Sequence, residues 1–180
     1  MTKNVCIYGA ASDVIDKVYK DATFELGQKL AGCGFGLVYG GGALGLMGAA
    51  ANGFLSVGGK VTGIVPYFIR EFEEVNILGE TLFVDTMAQR KDKMEDLSDY
   101  FIIAPGGIGT MDEFFQVLTM NHLKRYDKPV ILFNVNGYYN SLIQVLHEMV
   151  DKKFLKKETL NRLVIANNAD DVINYLVYGR

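Results

Sequence analysis

Short runs of apolar residues alternate along the chain with longer stretches in which apolar side chains return every three or four positions. Val5–Tyr8, Phe35–Tyr39, Lys60–Val65, Thr81–Val84, Tyr100–Ala104, Pro129–Phe133 and Leu163–Ala166 read as strands. These runs do not alternate with polar residues, so both faces of each strand are expected to be covered, as in a parallel sheet. Helical spacing fills the intervals. It predicts helices over Ile15–Leu30, with Val18, Ala22, Leu26 and Leu30 on one packed face, and over Gly45–Phe54, Met87–Leu97 and Thr110–Lys124. Another starts near Tyr139 or Asn140, and the last spans Ala169–Val177. Pro66 stops the third strand because it lacks a ladder donor, and a loop or short helix follows it. This βαβ order predicts the α/β class: a single Rossmann-like doubly wound domain over residues 1–180, with a mainly parallel sheet flanked by helices. Right-handed crossovers then gather the loops after the strands at one edge.

Composition narrows the partners. With 180 residues, 49% of them hydrophobic, the chain can bury one substantial core, and no Pro/Gly/Ser-rich linker divides it. A formal charge of -3, from 18 basic and 21 acidic residues, gives no general attraction for nucleic acid or an acidic membrane. Neither partner is expected, and Lys152, Lys153, Lys156 and Lys157 read as a solvated patch. The first apolar run is too short for a signal-peptide core or a membrane span, so a cytoplasmic location is expected. Cys6 and Cys33 are too few for a disulfide framework and read as small buried hydrophobes. His122 and His147 are isolated, which predicts ordinary packing or surface roles and no metal site.

Glycine is concentrated, with 13 of the 20 between Gly27 and Gly63, and this points to close backbone approaches. Three segments carry candidate chemistry. Tyr39–Gly48 follows a strand and enters a helix, and Gly40, Gly42 and Gly45 give Gly-x-Gly-x-x-Gly without the Lys-Ser/Thr of a Walker loop. A phosphate or mononucleotide contact, a tight structural turn and a nicotinamide site all remain open for it. Ala104–Glu113 has the same strand-to-helix setting, with glycines and the Thr110 hydroxyl able to wrap a phosphate. Thr110 and Glu113 also have the spacing of a capping box, against which stands a Glu113 that reaches the sugar of a bound nucleotide. In Met87–Met94, the side chains of Met87 and Met94, with Leu97 beyond, can pack inward and leave Arg90 and Lys91 extended from the sheet edge. Those two are either a clamp and a mobile charge for an anion or a solvated face.

Taken together, the segments resemble a known family. Tyr39-Gly40-Gly41-Gly42 with Gly45-Leu46-Met47-Gly48, Met87 with Arg90-Lys91 and Met94, and Pro105-Gly106-Gly107 with Gly109-Thr110 and Glu113 are similar to the LOG-type cytokinin riboside 5'-monophosphate phosphoribohydrolases, often labelled lysine decarboxylase-like. Lys128-Pro129-Val130 and Asn134–Tyr139 extend the resemblance, which runs from about Val5 to Phe154. It implies a Rossmann-like homodimer that hydrolyses the N-glycosidic bond of AMP and N6-prenylated AMP to free base and ribose 5-phosphate, with no cofactor. It also implies that Glu113 and Arg90 are catalytic. The binding set it implies is Arg90, Lys91, Gly107, Ile108, Gly109, Thr110, Met111, Asp112, Glu113 and Thr119, to which we add Gly9, Gly41, Gly42, Gly45 and Met47. Where many members have Gly-Ser-Ser after the first strand, this chain has Gly9-Ala10-Ala11, followed by Ser12.

In this reading the Glu113 carboxylate faces the positive charge that develops on the sugar as the bond lengthens, and Arg90 favours its ionised form. A non-catalytic nucleotide-binding or sensing domain is the main rival, because the same loops bind phosphate without chemistry. An NAD-dependent oxidoreductase and a pyridoxal-phosphate decarboxylase are weaker. The latter needs a cofactor-linked lysine and a partner for the pyridine nitrogen, and Lys91 has no evident second half of that arrangement. Leu118, Met120 and Leu123 are left between core and subunit interface.

Overall fold

The computed structural model describes residues 2–71 and 78–179. Its strands are β1 (Asn4–Tyr8), β2 (Gly36–Tyr39), β3 (Val61–Pro66), β4 (Glu80–Val84), β5 (Tyr100–Ile103), β6 (Val130–Phe133) and β7 (Leu163–Ala166). They form one sheet in the order β4-β3-β2-β1-β5-β6-β7, and every neighbouring pair is parallel. The helices are α1 (Lys17–Gly32), α2 (Gly45–Ser56), α3 (Met87–Asp96), α4 (Ile108–His122), α5 (Asn140–Asp151), α6 (Lys157–Leu160) and α7 (Ala169–Tyr178). Short 3-10 helices occupy Tyr67–Glu71 and Val135–Gly137. The first is the short helix expected after Pro66, and the rest of that stretch, 72–77, lies outside the described residues.

Each face of the sheet has its own core, as strands without polar alternation require. On one face Val5, Ile7, Leu37 and Tyr39 pack with Leu26 and Leu30 of α1, Leu46 and Phe54 of α2 and Val172 of α7. On the other, Cys6, Tyr8, Phe101 and Ile103 pack with Met94 of α3, Phe114 and Leu118 of α4 and Leu146 of α5. Leu118 is therefore core, whereas Leu123 is exposed.

Several expectations are corrected. Val18 is 48% exposed, and the packed stripe of this region runs instead through Ile15, Tyr19, Ala22, Leu26 and Leu30. A strict four-residue spacing drifts by about 40° per step around a helix, which turns Val18 about 120° away from Leu30. Cys33 caps the end of α1 and is exposed, so only Cys6 is a buried small hydrophobe. The four-residue α6 is too short to announce itself through periodicity and was not anticipated. His122 Nδ1 lies 2.7 Å from Thr159 Oγ1 and ties α4 to α6. Lys152, Lys153, Lys156 and Lys157 are exposed. Among the described residues no helix is long and apolar enough to cross a membrane, and no group of three or more His, Cys, Asp or Glu could hold a metal.

The chain runs from β1 outward through β2, β3 and β4, then returns to place β5 on the opposite side of β1. The loops after β1 and β5 consequently part at the carboxyl edge of the sheet, and a crevice opens between them. Gly45 fixes one wall. Its φ is +60°, and a Cβ there would collide with Ala10 O and lie 2.6 Å from Ser12 O. Gly32, at the end of α1, has no such constraint and nothing within 4 Å of its Cβ position. Chemical denaturation should separate the two: Gly45→Ala lowers stability by more than about 1 kcal/mol, and Gly32→Ala raises it by about 0.4–1 kcal/mol.

Candidate active site

Backbone hydrogen bonds stitch three loops around the crevice. Ala104 N–H donates to Tyr8 O, Ala10 N–H to Pro105 O at 3.1 Å, and Leu46 N–H to Ala10 O at 2.8 Å. The last of these matters for ligand chemistry. The start of α2 is already capped by the Ala10 carbonyl, which accepts from Leu46 and, at 3.5 Å, from Met47. Its dipole is satisfied within the protein, so the phosphate reading of the first glycine run gives way to a packing one. Gly41 and Gly42 follow the same logic, since side chains there would meet Val65 and Met47.

The start of α4 is different. Gly107 is its N-cap in extended conformation, and the first helical bond runs from Met111 N–H to Gly107 O. The amides of Ile108, Gly109 and Thr110 precede that bond and point out of the helix at the crevice, the arrangement that binds anions. Thr110 is thus the third residue of the helix and not its cap. The capping-box alternative for Glu113 fails on this geometry, because its carboxylate turns to a different partner.

That partner is Arg90. Its Nη1 donates to Glu113 Oε1 at 3.0 Å and its Nε to the Ile64 carbonyl at 3.3 Å. Both side chains are nearly enclosed, Arg90 being 8% and Glu113 9% exposed. Arg90 is therefore a buried residue of α3 and not part of a solvated face, whereas Met87, expected inside, is 43% exposed on the rim. Beneath the pair lie Tyr8 and Cys6, whose hydroxyl and thiol are pushed up by burial and stay neutral. Glu113 itself is raised above the usual carboxylate range. Burial is the main cause, and the charge and hydrogen bond of Arg90 offset it only in part. Arg90 does favour the ionised form, as expected, but burial outweighs it.

A cavity of about 390 Å³ opens onto this pair. It brings together Gly9, Met47, Arg90, Lys91, Gly107, Gly109, Thr110, Asp112 and Glu113 from the expected set, with Ala10, Ala11, Ser12 and Met87. Lys91 Nζ is held at 2.9 Å by Asp112 at the mouth. Gly41, Gly42, Gly45, Ile108, Met111 and Thr119 are not on its wall. Ile108 is 90% exposed, Met111 packs on the core, and Thr119 lies on the exposed face of α4. A second cavity, of about 420 Å³, shares Ala10, Ser12 and Gly107 with the first and is lined by Ile15, Tyr19, Leu46, Pro105 and Tyr138.

Some supporting residues were not legible as such. Tyr138 and Tyr139 donate their hydroxyls to Gly106 O and Ala104 O, each at 2.7 Å, and pin the β5–α4 loop from below. Asn134 accepts from Tyr139 N–H, and Asn136 turns the chain with a φ of 52°. The run Asn134–Tyr139 was visible in the sequence, but the loop it anchors lies some thirty positions earlier.

A doubly wound α/β domain whose crevice combines an open helix start with an enclosed carboxylate–guanidinium pair has the design of a nucleotide-handling enzyme. Comparisons agree. A family model described as "possible lysine decarboxylase" matches residues 47–176. The cytokinin riboside 5'-monophosphate phosphoribohydrolases LOG5 and LOG1 of Arabidopsis thaliana are each 38% identical over 175 residues, 97% of this chain, and covered to 77% and 82% of their own lengths. The probable rice enzyme LOGL2 (Oryza sativa subsp. japonica) is 37% identical over the same length and covered to 72%. The chain belongs to this phosphoribohydrolase family. A molybdenum cofactor carrier protein from Chlamydomonas reinhardtii shares the fold, with a TM-score of 0.76 at 19% identity over 98% of this chain and 96% of that one. So does DNA processing protein A from Helicobacter pylori, with a TM-score of 0.60 at 20% identity over 98% and 81%.

The electrostatics of the pair can be read directly. Carboxyl 13C NMR should give Glu113 a midpoint above the ordinary value of about 4.3, and Arg90→Ala should move it further up. A midpoint at or below the ordinary value would mean that the ion pair outweighs burial.

Proposed function

We propose that the protein hydrolyses the N-glycosidic bond of purine nucleoside 5'-monophosphates, AMP and its N6-prenylated forms, releasing the base and ribose 5-phosphate. The observation that carries this reading is the enclosed Glu113 carboxylate, directed into the cavity and paired with Arg90, one turn inside a helix whose first amides are turned to the same crevice. The 5'-phosphate sits at Gly107, Gly109 and Thr110, and binding a group that does not react fixes the ribose for the step that does. As the C1'–N bond lengthens, the electron pair leaves with the base and the sugar becomes cationic. Glu113 faces that charge in a site where little water screens it. Water supplies the hydroxyl to C1' and the proton to the base. A prenyl substituent needs apolar space continuous with the cleft, and the adjoining cavity with Ile15, Tyr19 and Tyr138 supports including it.

The working unit is a homodimer. Phe115 and Thr119 on one exposed face of α4 and Leu123 at its C-cap recur every four residues, which gives the helix an uncovered stripe with apolar ends. Thr119 belongs to that face.

Adenine release from AMP is the primary test, with GMP, CMP and an N6-prenylated AMP beside it. Equal rates for all four would defeat purine selectivity. Glu113→Gln should lower kcat by about a hundredfold or more while AMP binding changes little. Thr110→Ala should weaken AMP binding. A folded Glu113→Gln that releases adenine at the wild-type rate would overturn the mechanism, and tight AMP binding without release by the wild type would favour the sensing domain. Because ionised Glu113 is the active form and its pKa is raised, kcat/KM should fall as pH drops through a range above that of ordinary carboxylates. Light scattering should give about twice 19.9 kDa, and Leu123→Glu should shift the particle toward the monomer.

A further inference from the structure

The first glycine run does not line the cavity, yet one of its members touches the machinery. A Cβ built on Gly40, at the end of β2, would collide with Arg90 Nη2 and come within 3.0 Å of Arg90 Cζ and 3.2 Å of Met47 Sδ. Gly41 and Gly45 have φ of +82° and +60°, so their backbone alone favours glycine. Gly40 has no left-handed φ, and only the space beside it demands glycine. That space is filled by the guanidinium.

We infer that Gly40 is a positioning residue, the seat against which the Nη2 end of the Arg90 guanidinium abuts so that its remaining nitrogens meet Ile64 and Glu113. The group is planar and rigid. Nε is committed to the Ile64 carbonyl and Nη1 to Glu113, so a methyl group at the position of Nη2 cannot be accommodated by moving one nitrogen alone. The whole plane must tilt or withdraw. Withdrawal toward the cavity that Arg90 lines breaks its bonds to Ile64 and Glu113, whereas Met47 is a flexible thioether that can give way. The site thereby loses its geometry. Gly40 is thus a socket for Arg90 and not a phosphate contact, a role that no spacing rule for phosphate-binding glycines describes.

The consequence for turnover rests on the reaction proposed above, whereas the consequence for Glu113 does not. Gly40→Ala should lower kcat for AMP by about tenfold to a hundredfold, the usual effect of misplacing a reacting group by about an ångström. The thermal midpoint should fall no further in Gly40→Ala than in Arg90→Ala. In an Arg90→Ala background the same change should add no further loss, because the guanidinium it displaces is gone and the flexible Met47 can give way. Independently of turnover, the 13C-detected midpoint of the Glu113 carboxyl should rise in Gly40→Ala, in the same direction as in Arg90→Ala. Wild-type kcat in Gly40→Ala, an undiminished loss in the Arg90→Ala background, or an unmoved Glu113 midpoint would each overturn the assignment. So would failure of the Gly40→Ala/Arg90→Ala protein to fold under conditions in which Arg90→Ala folds, since the backbone itself would then require glycine. If wild-type protein released no base from any nucleotide, the proposed reaction would fall and the carboxyl titration would still decide the role of Gly40.

Discussion

A carboxylate and a guanidinium held together away from water impose demands on everything around them. Removing either charge from solvent costs several kcal/mol, and their mutual attraction repays that only when the remaining donors and acceptors are also met. Arg90 meets the requirement through Ile64 on β3, Glu113 on α4 and its own position on α3, so a single side chain binds three elements of the sheet edge. Glu113 has fewer partners, and the incomplete compensation raises its affinity for a proton. A fully neutralised carboxylate would be a structural residue. One left under-compensated at the wall of a cavity keeps a field to offer a cation that forms there.

The two glycine runs look alike in the chain and do different work. Both lie between a strand and a helix, but the dipole of α2 is consumed by the Ala10 carbonyl whereas that of α4 stays open toward the crevice. The difference comes from the order of the sheet. β2 lies on the outer side of β1, so its following helix starts against the β1 loop, while β5 lies across the switch point and its helix starts at the gap. Topology decides which glycine loop can accept an anion.

Much of this was legible in the residues. Strand and helix alternation follows from hydrophobic pattern, and the parallel sheet follows from the absence of polar alternation in segments such as Val5–Tyr8 and Val130–Phe133. The pairing of Glu113 with Arg90 was expected only once the resemblance had brought the two together, because partners 23 positions apart on separate helices leave no local signature. Local rules were misleading where they competed. Thr110 and Glu113 satisfy a capping-box spacing, yet α4 starts two residues before Thr110, and tertiary attraction takes the carboxylate elsewhere. The exposed Val18 and the exposed Met87 show the same limit: a stripe read by spacing fixes a face only to within the drift of the helix.

The loop after β1 keeps its shape through main-chain groups, with the amide and carbonyl of Ala10 both engaged by neighbouring loops. No side-chain hydrogen bond from positions 10 and 11 enters that framework, and Ala10 only rests its methyl group against the core. Both positions stand on the cavity wall, and two hydroxyls can be exchanged for two methyl groups there without breaking a main-chain bond that shapes the crevice. Such a stretch behaves as a panel whose chemistry can be altered independently of its frame, which gives a lineage a way to retune what it recognises while the catalytic pair stays untouched.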